Sequence, residues 1–258
     1  MGWVHIIRDF YSPPEEMNRT LRIYTPSGYE ADPNARFPVL YMQDGQNVFA
    51  HPESATWHTW CANDVMERLA GEGRFRRGSS WESITARFVL KSTRRGTTTK
   101  WAFAAAASST RNFSCTTSSR TSTKPTGRAP SRNGRRRWGR SLGGLMALFL
   151  GWKYPEVFGR VGGVSPSLMW SQGGLFHAWT KHSGRWSRIY LDAGEHEWVD
   201  WGGVDLDYGN TVRSFYEHLR AVGYADHEVR LVLEPGGNHH EIDWQRRLPE
   251  TFRWLLSA

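Results

Sequence analysis

The chain has 258 residues, enough for one large α/β domain with a sizeable core. It carries 33 Lys and Arg against 25 Asp and Glu, a net charge of +8. Cys61 and Cys115, its two cysteines, have no metal-ligand spacing and make no disulfide framework, which excludes a stapled mini-protein and a cysteine metal site.

No apolar run is long enough to span a membrane. The opening "MGWVHIIRDF" is too short and too polar for a signal peptide and lacks the small-residue pattern of a myristoylation site. The reading is a soluble, cytoplasmic protein.

"RTLRIYTP" (19–26) alternates and ends in a proline turn, so it predicts a half-buried strand. "GYEADPNARF" is turn chemistry. Val39 to Met42 follow as a short buried strand that runs into the loop "QDGQN". In "ATWHTWCANDVMERLAGEG", Trp57, Trp60, Val65, Met66 and Leu69 fall at helical spacings closed by Gly71. Trp57 and Trp60 read as core or as acyl-pocket wall.

From about residue 75 the pattern dissolves. Residues 73–140 hold 17 Lys and Arg against one acid, Glu82, leaving the rest of the chain with 16 basic and 24 acidic residues. Residues 79–131 contain 22 Ser or Thr and almost no aliphatic periodicity. By composition, residues 77–138 are irregular or disordered.

Order returns at Ser141. "SLGGLMALFLGWKYPEVFG" is a helix of small and apolar residues, and "RVGGVSPSLMW" and "RIYLDAGEHEW" are strands running into loops. "NTVRSFYEHLRAVG" is an amphipathic helix stopped by Gly223. "HEVRLVLEPGGNHH" is a strand ending in a Gly-Gly loop, and "DWQRRLPETFRWLL" is a final helix. Alternating strands and helices without an internal repeat predict one α/β domain over 1–258, a mostly parallel sheet with helices on both faces.

Gly139, Arg140, Ser141, Leu142 and Gly143 spell G-x-S-x-G, the turn that presents a nucleophilic serine between strand and helix. Acyl transfer by serine needs an imidazole to take its proton and a carboxylate to orient the imidazole. Ser141, Glu197 past "RIYLDAG" and His239 past "VRLVLEP" follow in that chain order, with Asp192 and Asp200 competing for the acid and His240 adjacent to the base. An oxyanion needs two backbone N–H donors. Leu142 supplies one, and Gly45 or Gln46 is placed to supply the other. No metal or organic cofactor is called for.

The stretches "FPVLYMQDGQNVF", "GRSLGGLMALFLGWKYPEVFG", "VSPSLMW", "YLDAGEHE" and "GGNHHEIDWQRRLPETFRWLL" resemble one group of α/β-hydrolases. These are the esterases that include enterochelin esterases, S-formylglutathione hydrolases and feruloyl esterases. The resemblance covers 19–72 and 139–258. It implies the α/β-hydrolase fold, a small-molecule ester substrate, Ser141 as nucleophile, Glu197 as acid and His239 as base. Arg140 departs from it, because that position is usually small.

Residues 77–138 also depart, standing where the resemblance calls for a buried strand, a loop, a helix and the strand before the serine turn. Joining the last base of each codon to the first two of the next permits an apolar strand and an amphipathic helix there. Trp81–Glu82 and Trp101–Ala102 can give only glycine in that frame. The segment therefore reads as out of frame between two compensating indels. As it stands, the sheet is expected to lose a central strand and most of the strand before Ser141, since an unpaired buried arginine costs several kcal/mol.

Two other functions fit the composition. One is a nucleic-acid-binding protein gripping phosphates through residues 74–140. Its aromatics (Trp81, Phe88, Trp101, Phe103, Phe113) are too irregularly spaced for a stacking platform, and this makes it the weaker reading. The other is an inactive hydrolase-like protein.

Overall fold

A computed structural model describes residues 2–12, 16–27, 29, 39–54, 57–72, 135–180 and 187–256, and the backbone of 85–88. The strands among the described residues are β1 (Trp3–Ser12), β2 (Met17–Thr25), β3 (Val39–Met42), β4 (Thr85–Phe88), β5 (Arg135–Arg140), β6 (Arg160–Pro166), β7 (Arg188–Gly194), β8 (Trp198–Asp200), β9 (Asp205–Asp207) and β10 (Val229–Glu234). The helices among the described residues are α1 (Ala62–Gly71), α2 (Ser141–Lys153), α3 (Trp170–Ala178), α4 (Tyr208–Ala221) and α5 (Glu241–Leu256).

Eight strands form one sheet in the order β1-β2-β4-β3-β5-β6-β7-β10. The pairs β1–β2 and β2–β4 are antiparallel, and every pair from β4 through β3, β5, β6 and β7 to β10 is parallel. This is the expected α/β-hydrolase architecture. β8 and β9 make a separate hairpin.

Side chains alternate across the sheet, as a period of two requires. On one face Leu40, Met42, Trp138, Val164 and Tyr190 pack with Val65, Met66 and Leu69 of α1 and Trp244, Leu248, Phe252 and Leu255 of α5. On the other, Val161, Ile189, Leu191 and Val229 pack with Leu145 and Leu148 of α2 and Val212, Phe215 and Leu219 of α4. Burying each large side chain stabilises the fold by about 1.5–3 kcal/mol.

Two expectations are corrected. The helix begins at Ala62, after Cys61 in the left-handed region at φ 47, so Trp57 and Trp60 precede it. Trp57 is exposed, and Trp60 is core, edge-on to Trp138 at 5.0 Å. β1, which alternation in "WVHII" could have suggested, pairs along β2.

The second correction concerns residues 77–138, read as irregular. Residues 85–88 form β4 and residues 135–138 begin β5, paired in register with β3 and β6. The rest of that segment, and the helix permitted by the shifted frame, lie outside the described residues. Pairing on both sides overrides the poor strand propensity of "RRRWGR".

The buried Arg136 and Arg137 and the half-buried Arg140 of β5 each find a different accommodation. Arg136 Nε donates to the Leu255 carbonyl at the end of α5, where Arg160 Nη1 also donates to Trp254 O at 3.1 Å. Unsatisfied carbonyls and the negative end of the helix dipole favour cations there. Arg137 lies over the Phe158 ring at 5.4 Å with its Nε unbonded. Arg140, on the same face as Arg136, is stacked over Trp60 at 5.1 Å and Trp244 at 4.2 Å and pairs with Glu241 at 3.1 Å.

Candidate active site

β5 delivers the chain to the serine turn at the C-terminal edge of the sheet. A side chain at Gly139 would meet the Gly143 carbonyl oxygen at 2.3 Å, so the turn closes only with glycine there. Ser141 has φ 50, a left-handed conformation that costs a non-glycine residue about 1–2 kcal/mol. Such strain is a mark of functional turns. Leu142, 37% exposed, follows in the first turn of α2, where backbone N–H groups have no intrahelical acceptor.

A side chain on Gly143 would come within 2.8 Å of Gln43 Cβ and 3.4 Å of Asp44 Oδ2, so the early loop packs directly on the serine turn. Gly45 and Gln46 lie in the turn closed by the Asn47 N–H donating to Asp44 O at 2.8 Å. Asp44 is left-handed at φ 55, and burial raises its carboxyl above the usual range.

Ser141 Oγ lies 3.2 Å from Ser167 Oγ, which lies 3.0 Å from the Tyr208 hydroxyl. Burial pushes the Tyr208 phenol up, while hydrogen bonds to Ser167 and Ser141 pull it down. The Tyr208 ring packs on the His239 imidazole at 4.5 Å, and Trp244 meets that imidazole edge-on at 4.9 Å. Tyr208 therefore adjoins both Ser141 and His239.

His239 Nδ1 lies 2.5 Å from Glu197 Oε1. Glu197 is fully buried, and its Oε2 accepts from the Ser165 hydroxyl at 2.8 Å and the Gly194 N–H at 2.7 Å. The competing acids go elsewhere. Asp200 accepts from Gly203 N–H at 2.7 Å in an exposed turn. Asp192 is buried inside β7 with Arg247 Nε 3.2 Å from its Oδ1.

Burial drives the Asp192 carboxyl up to about 7 against the pull of Arg247, with Glu197 and Glu234 adding to the rise and Tyr190 opposing it. A folded-state value above the unfolded 3.8 means that the folded chain keeps a proton the unfolded chain releases. Stability is then full below that pH and lost as pH rises through about 7. The urea midpoint is expected to fall between about pH 4 and pH 8. Asp192→Asn should flatten that fall, and an equal slope in the variant would refute the assignment.

His240 has a structural post. Its carbonyl accepts the N–H groups of Asp243 and Trp244 at 3.1 Å each, capping α5, and its ring faces His58 at 5.9 Å. Among the described residues no group of three His, Cys, Asp or Glu is placed to hold a metal ion. Sequence reasoning missed Ser165, Ser167, Tyr208 and Arg247. The two serines of "VSPS" were visible as hydroxyls at a strand end, but nothing local marks Tyr208 or Arg247.

The Esterase family, described as "Putative esterase", matches residues 12–255. The chain belongs to this family. The esterase is 23% identical over 245 residues to the uncharacterized protein YbbA of Bacillus subtilis, covering 92% of each. It is 30% identical over 137 residues to the iron(III) enterobactin esterase of Dickeya dadantii, across 46% of this chain and 29% of that one. Among solved structures it is similar to a ferulic acid esterase of Anaeromyces mucronatus in complex with ferulic acid. The TM-score is 0.66 at 15% identity, with 100% of this chain and 90% of that chain covered. No helix among the described residues is long and apolar enough to cross a membrane.

Proposed function

We propose that this carboxylic-ester hydrolase works through a Ser141–His239–Glu197 triad and an acyl-enzyme. The observation that carries the reading is the buried Glu197 bonded to His239 beside Tyr208, which is linked through the Ser167 hydroxyl to the strained Ser141. In the reaction the Ser141 hydroxyl exchanges Ser167 for His239 Nε2 and gives up its proton as Oγ attacks the ester carbonyl. Glu197 steadies the imidazolium, and the Leu142 N–H with that of Gln46 or Gly45 receives the oxyanion. The imidazolium protonates the leaving alcohol. Water, deprotonated by the same imidazole, then releases the acid.

The substrate is a small or aromatic acyl ester. Trp170, whose backbone N–H donates to Ser167 O at 3.1 Å, has its ring 6.2 Å from that of Trp201. Trp201 and Trp198 are exposed on the hairpin that follows Glu197. An aromatic acyl group would stack well on such rings. The nucleic-acid reading is disfavoured because Arg136 and Arg137 are buried rather than offered to phosphate.

The neighbouring histidines test the assignment. His239→Ala is expected to lower kcat for a short p-nitrophenyl ester by about 10⁴-fold or more. His240→Ala, which keeps the capping carbonyl, should stay within about threefold of the parent, since only hydrogen bonds to its exposed ring are lost. The opposite ranking would make His240 the base.

A further inference from the structure

Ser165 lies within a run of buried residues on β6, is fully buried itself and sits at φ 41. A serine hydroxyl has one hydrogen to give and two lone pairs to receive. Trp244 Nε1 approaches it at 3.0 Å and Arg247 Nη2 at 2.9 Å, and neither group can accept. Both lone pairs are therefore taken. The hydrogen has one acceptor left, Glu197 Oε2 at 2.8 Å.

We propose that Ser165 is a positioning residue of the esterase, its hydroxyl compelled to donate to Glu197 so that the other carboxylate oxygen is held toward His239. The inference rests on the triad reading. Two donors, Ser165 and the Gly194 N–H at 2.7 Å, fix Oε2 and stop the carboxylate from turning about its last bond. Oε1 is left facing His239 Nδ1, which must then carry a hydrogen, leaving Nε2 with the lone pair a general base needs. Arg247 fixes the hydroxyl in turn. Its guanidinium is held between Asp192 at 3.2 Å, Glu234 at 3.3 Å and Glu197 at 3.7 Å, so it cannot swing away. Glu197 would otherwise be free to rotate, and His239 to flip between tautomers.

The test uses the full chain with Ser165→Ala and Ser165→Gly, assayed on p-nitrophenyl acetate. Both variants are expected to lose about 10- to 100-fold in kcat with KM within about twofold, the scale seen when a partner that orients an imidazole is removed. Alanine keeps the Cβ that serine already carries at φ 41 and glycine removes it, so a purely conformational role would separate the two variants, whereas loss of the hydroxyl lowers both.

The second measurement needs no turnover. In a Ser141→Ala background the downfield proton resonance of the His239 N–H, assigned by its absence in His239→Ala, should be sharp with Ser165 present. It should broaden or move upfield in both variants. Parental kcat in either variant, recovery by glycine, or an unmoved resonance would overturn the inference. A parent whose hydrolysis survives Ser141→Ala would instead remove the triad reading, whatever Ser165 does.

Discussion

Ser141→Ala is expected to reduce kcat for a short p-nitrophenyl ester by about 10⁴- to 10⁶-fold, while KM and the unfolding temperature stay near those of the parent. The substitution removes one oxygen from a side chain at the rim of the site. Ser167, 3.2 Å away, cannot substitute, because it is not on the turn whose following N–H groups would meet the oxyanion. Adding His239→Ala to it should cost almost nothing further, since nucleophile and base act as a unit. Ser141→Gly should be equally inactive but more stable by about 1 kcal/mol, because glycine adopts φ 50 without the penalty an L side chain incurs. Initial rates and thermal unfolding of the three variants check this. Residual hydrolysis near the parent's rate in Ser141→Ala would end the serine mechanism.

The arginines of β5 should respond to apolar replacement in three different ways. Arg137 is 5% exposed, its Nε meets no acceptor, and burial lowers its guanidinium to about 10. A base held below its unfolded value destabilises the fold at every pH beneath about 10 and is relieved only above it. Arg137→Val should therefore stabilise the protein at neutral pH, by about 1–4 kcal/mol, the range for replacing buried charge with well-packed apolar residues.

Arg136→Val should gain less. Burial lowers this guanidinium too, to about 9, but its removal takes a donor from the carbonyl end of α5. Arg140→Ala should lose stability, since two indole faces and the partly buried charge of Glu241 would be left behind. Urea denaturation at neutral pH measures all three. A destabilised Arg137→Val would mean that the strand needs its charge.

Much of this was legible in the order of the chain. Ser141, Glu197 and His239 stand at ends of elements whose periodicity is plain, and a turn that tolerates only glycine at Gly139 announces itself in five letters. β5 was not legible, because its residues argue locally for a solvated coil. It is a strand by virtue of β3 and β6, far away in sequence. The proposed acid was ambiguous for a similar reason: Asp192, Glu197 and Asp200 lie within nine positions, and only folding sends one inward to Arg247, one to His239 and one to a turn. Ser165 carries no mark of its own, since its role depends on which neighbours occupy its lone pairs. The out-of-frame reading of 77–138 stays a proposal about the gene, decided by resequencing the coding DNA.

The arginine run that made β5 improbable also ties it to α5. Arg136 holds the last turn of α5 through Leu255 O, and Arg140 holds its first turn through Glu241 and the Trp244 ring. The helix is thus riveted to the strand at both ends. Ser141 follows that strand directly, and His239 lies just ahead of that helix. The proposed nucleophile and base ride on one splint, so a slide of α5 along the sheet that would separate them must first shear both rivets.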